Sequence, residues 1–263
     1  MIRDKCFSSI TLDKSLGFGH FTSFLIEQDA FNQHYVRGLN LHFARLLRAS
    51  KTLTIFCPSL EEIIEQLKVI IATNNESTDD NDKLSQALSL RVKITVWQDG
   101  WNISKQSYNP HNPTAFRLVM VEGGRPLPEL KSCSSFVSVL AQQFADKSGY
   151  NTALLMQGSE VLEAAWGNII WISKKAGKLM YRTEGVLSGV AQTLITQNFP
   201  HEVIDCKFSL NDLYENASAV FFCNAVRGVI PVAQINEWNV PQCDRYFVEI
   251  NKVWQESEVI RIS

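Results

Sequence analysis

No apolar run in the 263 residues approaches the roughly 20 that a membrane-spanning helix needs. Residues 1–14, MIRDKCFSSITLDK, contain no apolar core of a secretory signal. The six cysteines, at 6, 57, 133, 206, 223 and 243, form no CxxC pair and no repeated spacing. Zinc ribbons and thioredoxin-like chemistry are thereby excluded, no metal site is expected, and reduced thiols in the cytoplasm are the expectation. Neither charge sign dominates: 25 Lys and Arg stand against 27 Asp and Glu, a net charge of −2. Such a balance gives no whole-protein field toward nucleic acid or an acidic membrane, so neither is expected as a partner. Internal repeats and low-complexity segments are absent as well. What is present is 45% hydrophobic and 10% aromatic residues, enough for packed cores, in a length that suits one large domain or two modest ones.

Patterning predicts mixed α and β structure. Residues 21–27 read as a strand turning at Asp29, and Leu39, Phe43, Leu46 and Leu47 fall on one face of a helix. Pro58 followed by Ser59-Leu-Glu-Glu62 has the form of a capping box, opening a helix with the stripe Leu60, Ile63, Ile64, Leu67 and Ile71. The polar stretch 74–82, NNESTDDND, reads as a surface loop. Residues 91–97 alternate as a strand and 115–121 as its return. Two Gly and two Pro in VEGGRPLPEL mark residues 121–130 as a connection. Beyond it Phe136, Val137, Leu140, Ala141 and Phe144 form a helical face, and strands are expected at 152–156, 168–172 and 219–223. Further helices are expected near Gly189 and over 245–255. The division is therefore an N-terminal α/β domain (1–120), a linker (121–130) and a larger, β-rich C-terminal domain (131–263), an α/β (α+β) two-domain protein.

Four local signals, in this order, resemble the fold-type IV pyridoxal-phosphate enzymes, the class IV aminotransferase family with its D-amino-acid aminotransferase-like fold. Gly17-Phe-Gly-His-Phe-Thr22, then His42-Phe-Ala-Arg45-Leu46, are similar to the family's early glycine turn and H-x-x-R-L helix. Lys131 is separated by 21 residues from Ala153-Leu-Leu-Met156, the spacing from the cofactor lysine to the next core strand. Leu162-Glu163-Ala-Ala-Trp-Gly-Asn168-Ile169 is similar to T-E-x-x-x-x-N-[IL]-F. Gly185-Val-Leu-Ser-Gly189-Val190-Ala191 resembles the phosphate turn L-x-G-I-T-R.

The resemblance implies pyridoxal 5'-phosphate as cofactor, a small-molecule substrate and a homodimer. Lys131 is then the catalytic residue and a cofactor ligand: its amine must be partly desolvated to condense with the aldehyde and shuttle protons. A lysine beside a helix is otherwise a solvated surface group. Glu163 would face the pyridine nitrogen and keep it protonated; otherwise it is an exposed hairpin glutamate. Arg45 would supply a guanidinium to the phosphate, with Arg48 able to do the same. Gly189, Val190 and Ala191, opening a helix, would supply N–H donors and the helix dipole. His42, on the face of Arg45, either buttresses it or is structural. Cys133 and Cys223, beside the site, are expected to be inert thiols.

Within the family, Phe221-Phe-Cys-Asn224-Ala225-Val-Arg227-Gly-Val-Ile-Pro231-Val232 looks like the C-N-[AS]-L-x-G-x-x-P-V segment of aminodeoxychorismate lyases. Asn224 and Ala225 join the expected cofactor site, the Asn224 amide donating and accepting near phosphate and substrate; otherwise it ends a strand. The implied reaction removes the C4 proton of 4-amino-4-deoxychorismate, expels pyruvate and leaves 4-aminobenzoate, a folate precursor. The chain departs from the pattern before the linker, where the lyase arginines are replaced by residues 97–110, WQDGWNISKQSYNP; Lys105 or Arg227 stands in for them. Leu162, Phe18 and Gln192 are further departures. Two other readings stay open: a class IV transaminase acting on an amino acid and a 2-oxo acid, and a non-catalytic family member that binds the cofactor or only keeps the fold.

Overall fold

The computed structural model describes residues 17–75, 89–109 and 113–262. The chain runs β1 (His20–Gln28), β2 (His34–Arg37), α1 (Leu39–Leu53), α2 (Leu60–Asn75), β3 (Ser89–Trp97) and β4 (Gly100–Tyr108). There follow β5 (Phe116–Glu122), α3 (Phe136–Lys147), β6 (Thr152–Gln157), β7 (Glu160–Ala164), β8 (Asn168–Ser173) and β9 (Leu179–Tyr181). The remainder is α4 (Val190–Asn198), β10 (Val203–Asp205), α5 (Leu210–Asn216), β11 (Ala217–Asn224), β12 (Gly228–Ile235), β13 (Trp238–Asn239), α6 (Asp244–Gln255) and β14 (Val259–Arg261). Two sheets organise them. One has the order β14-β2-β1-β3-β4. The other has nine strands, β10-β9-β8-β11-β12-β5-β6-β7, with β13 beside β12.

The first sheet packs α1 and α2 against one face, with Phe24, Ile26, Leu46, Ile63, Leu67, Val92 and Ile94 buried between them. The capping box forms: the Ser59 N–H donates to Glu62 Oε2 at 2.7 Å and the Glu62 N–H to Ser59 Oγ at 3.1 Å. Polar stretch 74–82 starts inside α2 and otherwise lies outside the described residues. In the second sheet the strands are apolar on both sides; β8 is buried along its whole length, with α4 and α6 on one face and α5 on the other. The α/β class follows from this patterning.

Three expectations change. Strand β5 does not return to β3; it runs parallel to β12 and β6 inside the second sheet. The chain therefore changes sheets before residue 116, not across 121–130, and β14 comes back to the first sheet beside β2. The strand that returns along β3 is β4, paired through nine residue pairs from Trp97↔Gly100 to Ser89↔Tyr108. Helix α3 exists, and Val137 and Ala141 of its expected face pack inward, but the rest of that face does not. Ser138, Ala141 and Ala145 face inward, while Phe136, Leu140 and Phe144 are exposed.

Candidate active site

Lys131 follows the connection and is stitched to the first sheet. The Phe21 N–H donates to the Lys131 carbonyl at 2.9 Å, the Cys133 N–H donates to the Gly19 carbonyl at 2.9 Å, and His20 bridges Ser132. This close approach needs a residue without a side chain at 19, because a Cβ there would sit 2.5 Å from the Val96 carbonyl oxygen. Lys131 opens onto a cavity of about 390 Å³, and its Nζ stands 4.9 Å from the centre of the Phe21 ring. Burial lowers the amine's pKa from 10.5 to about 7; Arg45, Arg125 and Arg91 push the same way and Glu163 opposes. A neutral amine is thus accessible near physiological pH, the requirement for attack on a carbonyl carbon or for accepting a proton.

Arg45 lines the same cavity from α1 and is buried, whereas Arg48 is exposed. Arg45 Nη2 donates to Thr22 Oγ1 at 2.5 Å, and that hydroxyl lies 2.7 Å from His42 Nδ1. Thr22 accepts from the guanidinium, so its one proton goes to Nδ1 and His42 carries its own proton on Nε2. Burial, with the charges of Arg45 and Lys131, holds His42 well below its usual pKa and therefore neutral. The histidine positions Thr22, and Thr22 positions the arginine. Among the described residues the guanidinium makes no ion pair, and its buried Nε has no hydrogen-bond partner. Burial and repulsion from Arg48 and Arg125 lower its pKa to about 10. A buried cation without a protein anion fits an anionic ligand group.

Opposite, β7 delivers Glu163, 5% exposed and so not the solvated hairpin residue its sequence also allowed. Burial pushes its carboxyl up; Arg125 opposes, its Nε donating to Oε1 at 2.6 Å. Glu163 Oε2 accepts from the Leu187 N–H at 3.2 Å, and Asn168 Nδ2 donates to the Leu187 carbonyl at 2.7 Å. Gly189 and Val190 bring the start of α4 to the cavity wall, with unpaired first-turn N–H groups. A Cβ at 189 would stand 1.9 Å from Asn168 Oδ1, so glycine is required. Ala191 is buried just inside the helix and is not among the lining residues.

Asn224 and Ala225 line the cavity, yet the Asn224 amide is committed to its own turn. Oδ1 accepts from the Val226 and Arg227 N–H groups, at 3.0 and 2.7 Å, and Nδ2 donates to the Trp166 carbonyl at 2.9 Å. It acts as a strand-ending residue that shapes the wall. Lys105 is not at the site: its Nζ reaches Thr73 Oγ1 and the Ile70 carbonyl on α2. Arg227 does line the cavity, joined by Arg91 and Arg125, which the sequence reading passed over. Arg91 opens the strand pattern of residues 91–97, and no motif marks it. Cys223 is sealed in the core, and burial pushes its thiol up to about 12.

The sequence model described as amino-transferase class IV matches residues 19–235, most of the chain. The chain belongs to the class IV aminotransferase family. Its members are pyridoxal-phosphate enzymes, and the residues of this cavity suit that cofactor: a lysine with a depressed pKa, a buried carboxylate across from it, an orphaned guanidinium and a helix start. No curated protein matches the sequence. Among solved structures, a Legionella pneumophila protein provisionally named as 4-amino-4-deoxychorismate lyase is similar at 19% identity and TM-score 0.76, over 98% of both chains. A branched-chain aminotransferase from Thermoproteus uzoniensis, with norvaline, is similar at 19% identity and TM-score 0.76, over 95% of this class IV chain and 91% of its own. A Mycobacterium tuberculosis protein named as a hypothetical aminotransferase, in its PLP-bound form, is similar at 14% identity and TM-score 0.73, over 92% and 89%. At these identities the likeness is one of fold. No described helix is long and apolar enough to cross a membrane.

Proposed function

We propose that this class IV enzyme is a pyridoxal-phosphate-dependent 4-amino-4-deoxychorismate lyase that releases pyruvate and 4-aminobenzoate. One observation carries the reading: Arg45, Arg91, Arg125, Lys131 and Arg227 line the cavity, and Glu163 is the one carboxylate among the described lining residues. Arg125 is neutralised by Glu163, and Arg45 with the start of α4 suits the cofactor phosphate. Arg91 and Arg227 line the same wall, and as cations they suit the two carboxylates of aminodeoxychorismate. A branched aliphatic side chain would bury neither charge favourably. Tyr108, Ser132, Ser135 and Ser138 add hydroxyls to a wall that also carries Phe21, Trp166, Leu187 and Val226, a mixture that suits a carboxylated ring with an apolar face.

When bound, the cofactor supplies an aldehyde and a conjugated ring that draws electrons from the bonds around the substrate's nitrogen. The chain's own part is to orient and to move protons. Lys131 Nζ, neutral above a pH of about 7, accepts the proton from the substrate's C4. Loss of that proton with cleavage of the ether C–O bond releases pyruvate, and aromatisation makes the step irreversible. Glu163, pinned by Arg125 and Leu187, holds a negative charge where a ring nitrogen can share a proton with it. The Thr22–His42 pair keeps Arg45 aimed at the phosphate end. A homodimer is part of this reading, supported by the exposed apolar outer face of α3, Phe136, Leu140 and Phe144. Light scattering at micromolar concentration tests it.

Wild-type protein reconstituted with pyridoxal phosphate is expected to show a visible absorption band that Lys131→Ala abolishes, and to release pyruvate and 4-aminobenzoate in equal amounts from aminodeoxychorismate. Conversion to the pyridoxamine form by amino acids, with no pyruvate from aminodeoxychorismate, would make the chain a transaminase. A colourless protein that cannot be reconstituted would make it a non-catalytic family member.

A further inference from the structure

Arg125 belongs to none of the motifs in the sequence and sits in the Pro- and Gly-rich connection, yet all three of its guanidinium nitrogens are engaged. Nε donates to Glu163 Oε1 at 2.6 Å, Nη1 to the Leu130 carbonyl at 3.0 Å and Nη2 to the Pro128 carbonyl at 2.6 Å. The residue after Leu130 is Lys131. Just before it the backbone makes a tight turn, with the Leu130 N–H donating to the Leu127 carbonyl at 2.9 Å and Leu127 at a left-handed φ of 49°. One planar group therefore joins the strand that carries the carboxylate to the turn that carries the amine. The side chains of Arg125 and Glu163 are 12% and 7% exposed, so water supplies little of either group's solvation. A forked guanidinium can hold these three acceptors in fixed directions; an ammonium, a point charge on a flexible stem, cannot.

We propose that Arg125 is the positioning residue of the cofactor site, locking Glu163 and the Lys131 turn into one unit that grips the nitrogen end of a pyridoxal ring. The inference rests on the pyridoxal-phosphate reading above. Two consequences follow from the geometry. Without the guanidinium, Glu163 keeps only the Leu187 N–H and becomes a buried carboxylate short of partners, which takes up a proton more readily. The turn loses two of its tethers, and Lys131 loses a nearby positive charge. The amine then faces Arg45 and Arg91; loss of the Arg125 charge outweighs the weakened Glu163, which acts the other way, so the amine holds its proton to higher pH.

The test uses the full chain as wild type, R125Q, R125K, E163Q and R125Q/E163Q, each checked for folding by circular dichroism. Pyridoxal-phosphate affinity is read from the visible band and from quenching of tryptophan fluorescence, since Trp166 lines the cavity. R125Q and E163Q are each expected to weaken binding by about 30-fold or more and to move the pH midpoint of the band, with R125K recovering only part of the affinity. The double variant is expected to be no worse than the weaker single, because both remove one linked unit. Losses that multiply in the double variant, or R125Q binding within twofold of wild type at an unmoved pH midpoint, would overturn the proposal. A second readout needs no cofactor: labelling of Lys131 at pH 7.5 by a small amine-directed reagent, quantified by peptide mass spectrometry. In R125Q the rate is expected to fall about threefold or more, and an unchanged rate also overturns the role of Arg125. Wild-type protein that takes up no pyridoxal phosphate would instead sink the cofactor reading, so the two failures stay distinct.

Discussion

Lys131 costs the folded protein stability, and the size of that cost can be worked out. Its amine has a pKa of about 7 in place of 10.5. At roughly 1.4 kcal/mol per pKa unit, holding a proton there costs the folded state up to about 5 kcal/mol; relaxation and water entry lower the expected figure to about 2–5 kcal/mol. The sign follows from proton counting. Below pH 7 both folded and unfolded chains are protonated, and the whole cost is present. Between pH 7 and 10.5 the unfolded chain binds more protons than the folded one, so stability rises with pH across that window. Lys131→Met replaces the amine with an unbranched apolar group of similar length and removes the cost. The cofactor-free variant should be more stable than wild type by about 2–5 kcal/mol at pH 6, equivalent to roughly 4–10 °C in Tm for a chain of this size. The advantage should shrink steadily toward pH 10. Urea and thermal unfolding at pH 6, 7.5 and 9 check it. A variant no more stable than wild type at pH 6, or an advantage that does not vary with pH, would refute an amine desolvated in this cavity.

Two other substitutions probe the phosphate end. Gly189→Ala puts a Cβ where Asn168 Oδ1 already stands, so it should break the Asn168–Leu187 bond and shift the start of α4. The expected loss is about 2–4 kcal/mol in urea unfolding, together with weaker cofactor binding; an unchanged midpoint would refute the close approach. Thr22→Val removes the hydroxyl shared by Arg45 and His42 and leaves buried polar atoms unpaired, at a cost of about 2–3 kcal/mol. Thr22→Ser should restore most of the stability and affinity, and failure of that rescue would show that the methyl group, not the hydroxyl, matters.

What the sequence disclosed and what it hid separate along physical lines. Elements with a one-sided apolar pattern or a capping box, such as α2, could be read directly, because burial demands the periodicity. Strand β4 could not, since most of its residues are exposed and no alternation marks it. Helix α3 could be read, but its large residues Phe136, Leu140 and Phe144 face outward. It packs close to β6 through Ser138, Ala141 and Ala145, and small side chains leave the large ones outside. The sheet to which β5 belongs was hidden because apolar strands look alike whichever neighbour they pair with. At the candidate site, Lys131, Arg45, Glu163 and Gly189 could be found because each lies in a local pattern with a fixed spacing. Arg91, Arg125 and Thr22 needed coordinates, because their roles come from contacts between distant segments.

That division also bears on which chemistry the site performs. The residues with readable spacing are those that suit a pyridoxal cofactor, and they are equally apt for a lyase or a transaminase. The features that discriminate have no fixed spacing: the cations Arg91 and Arg227 on the cavity wall, and the hydroxyls of Ser135, Ser138 and Tyr108. Substrate choice in such a fold depends on side chains that strands and turns project into the cavity from several parts of the chain. A single substitution there leaves every motif intact, so spacing arguments carry no information about it. Arg227 shows the point: three residues past Asn224, it is one of two cations the sequence offers for a substrate carboxylate, and the cavity wall carries it and not Lys105. Exchanging Arg91 or Arg227 for Gln should therefore raise KM for aminodeoxychorismate by about tenfold or more while leaving cofactor affinity within a factor of two. Steady-state kinetics alongside cofactor titration measure both, and a matching loss of cofactor affinity would show that these arginines serve the phosphate instead.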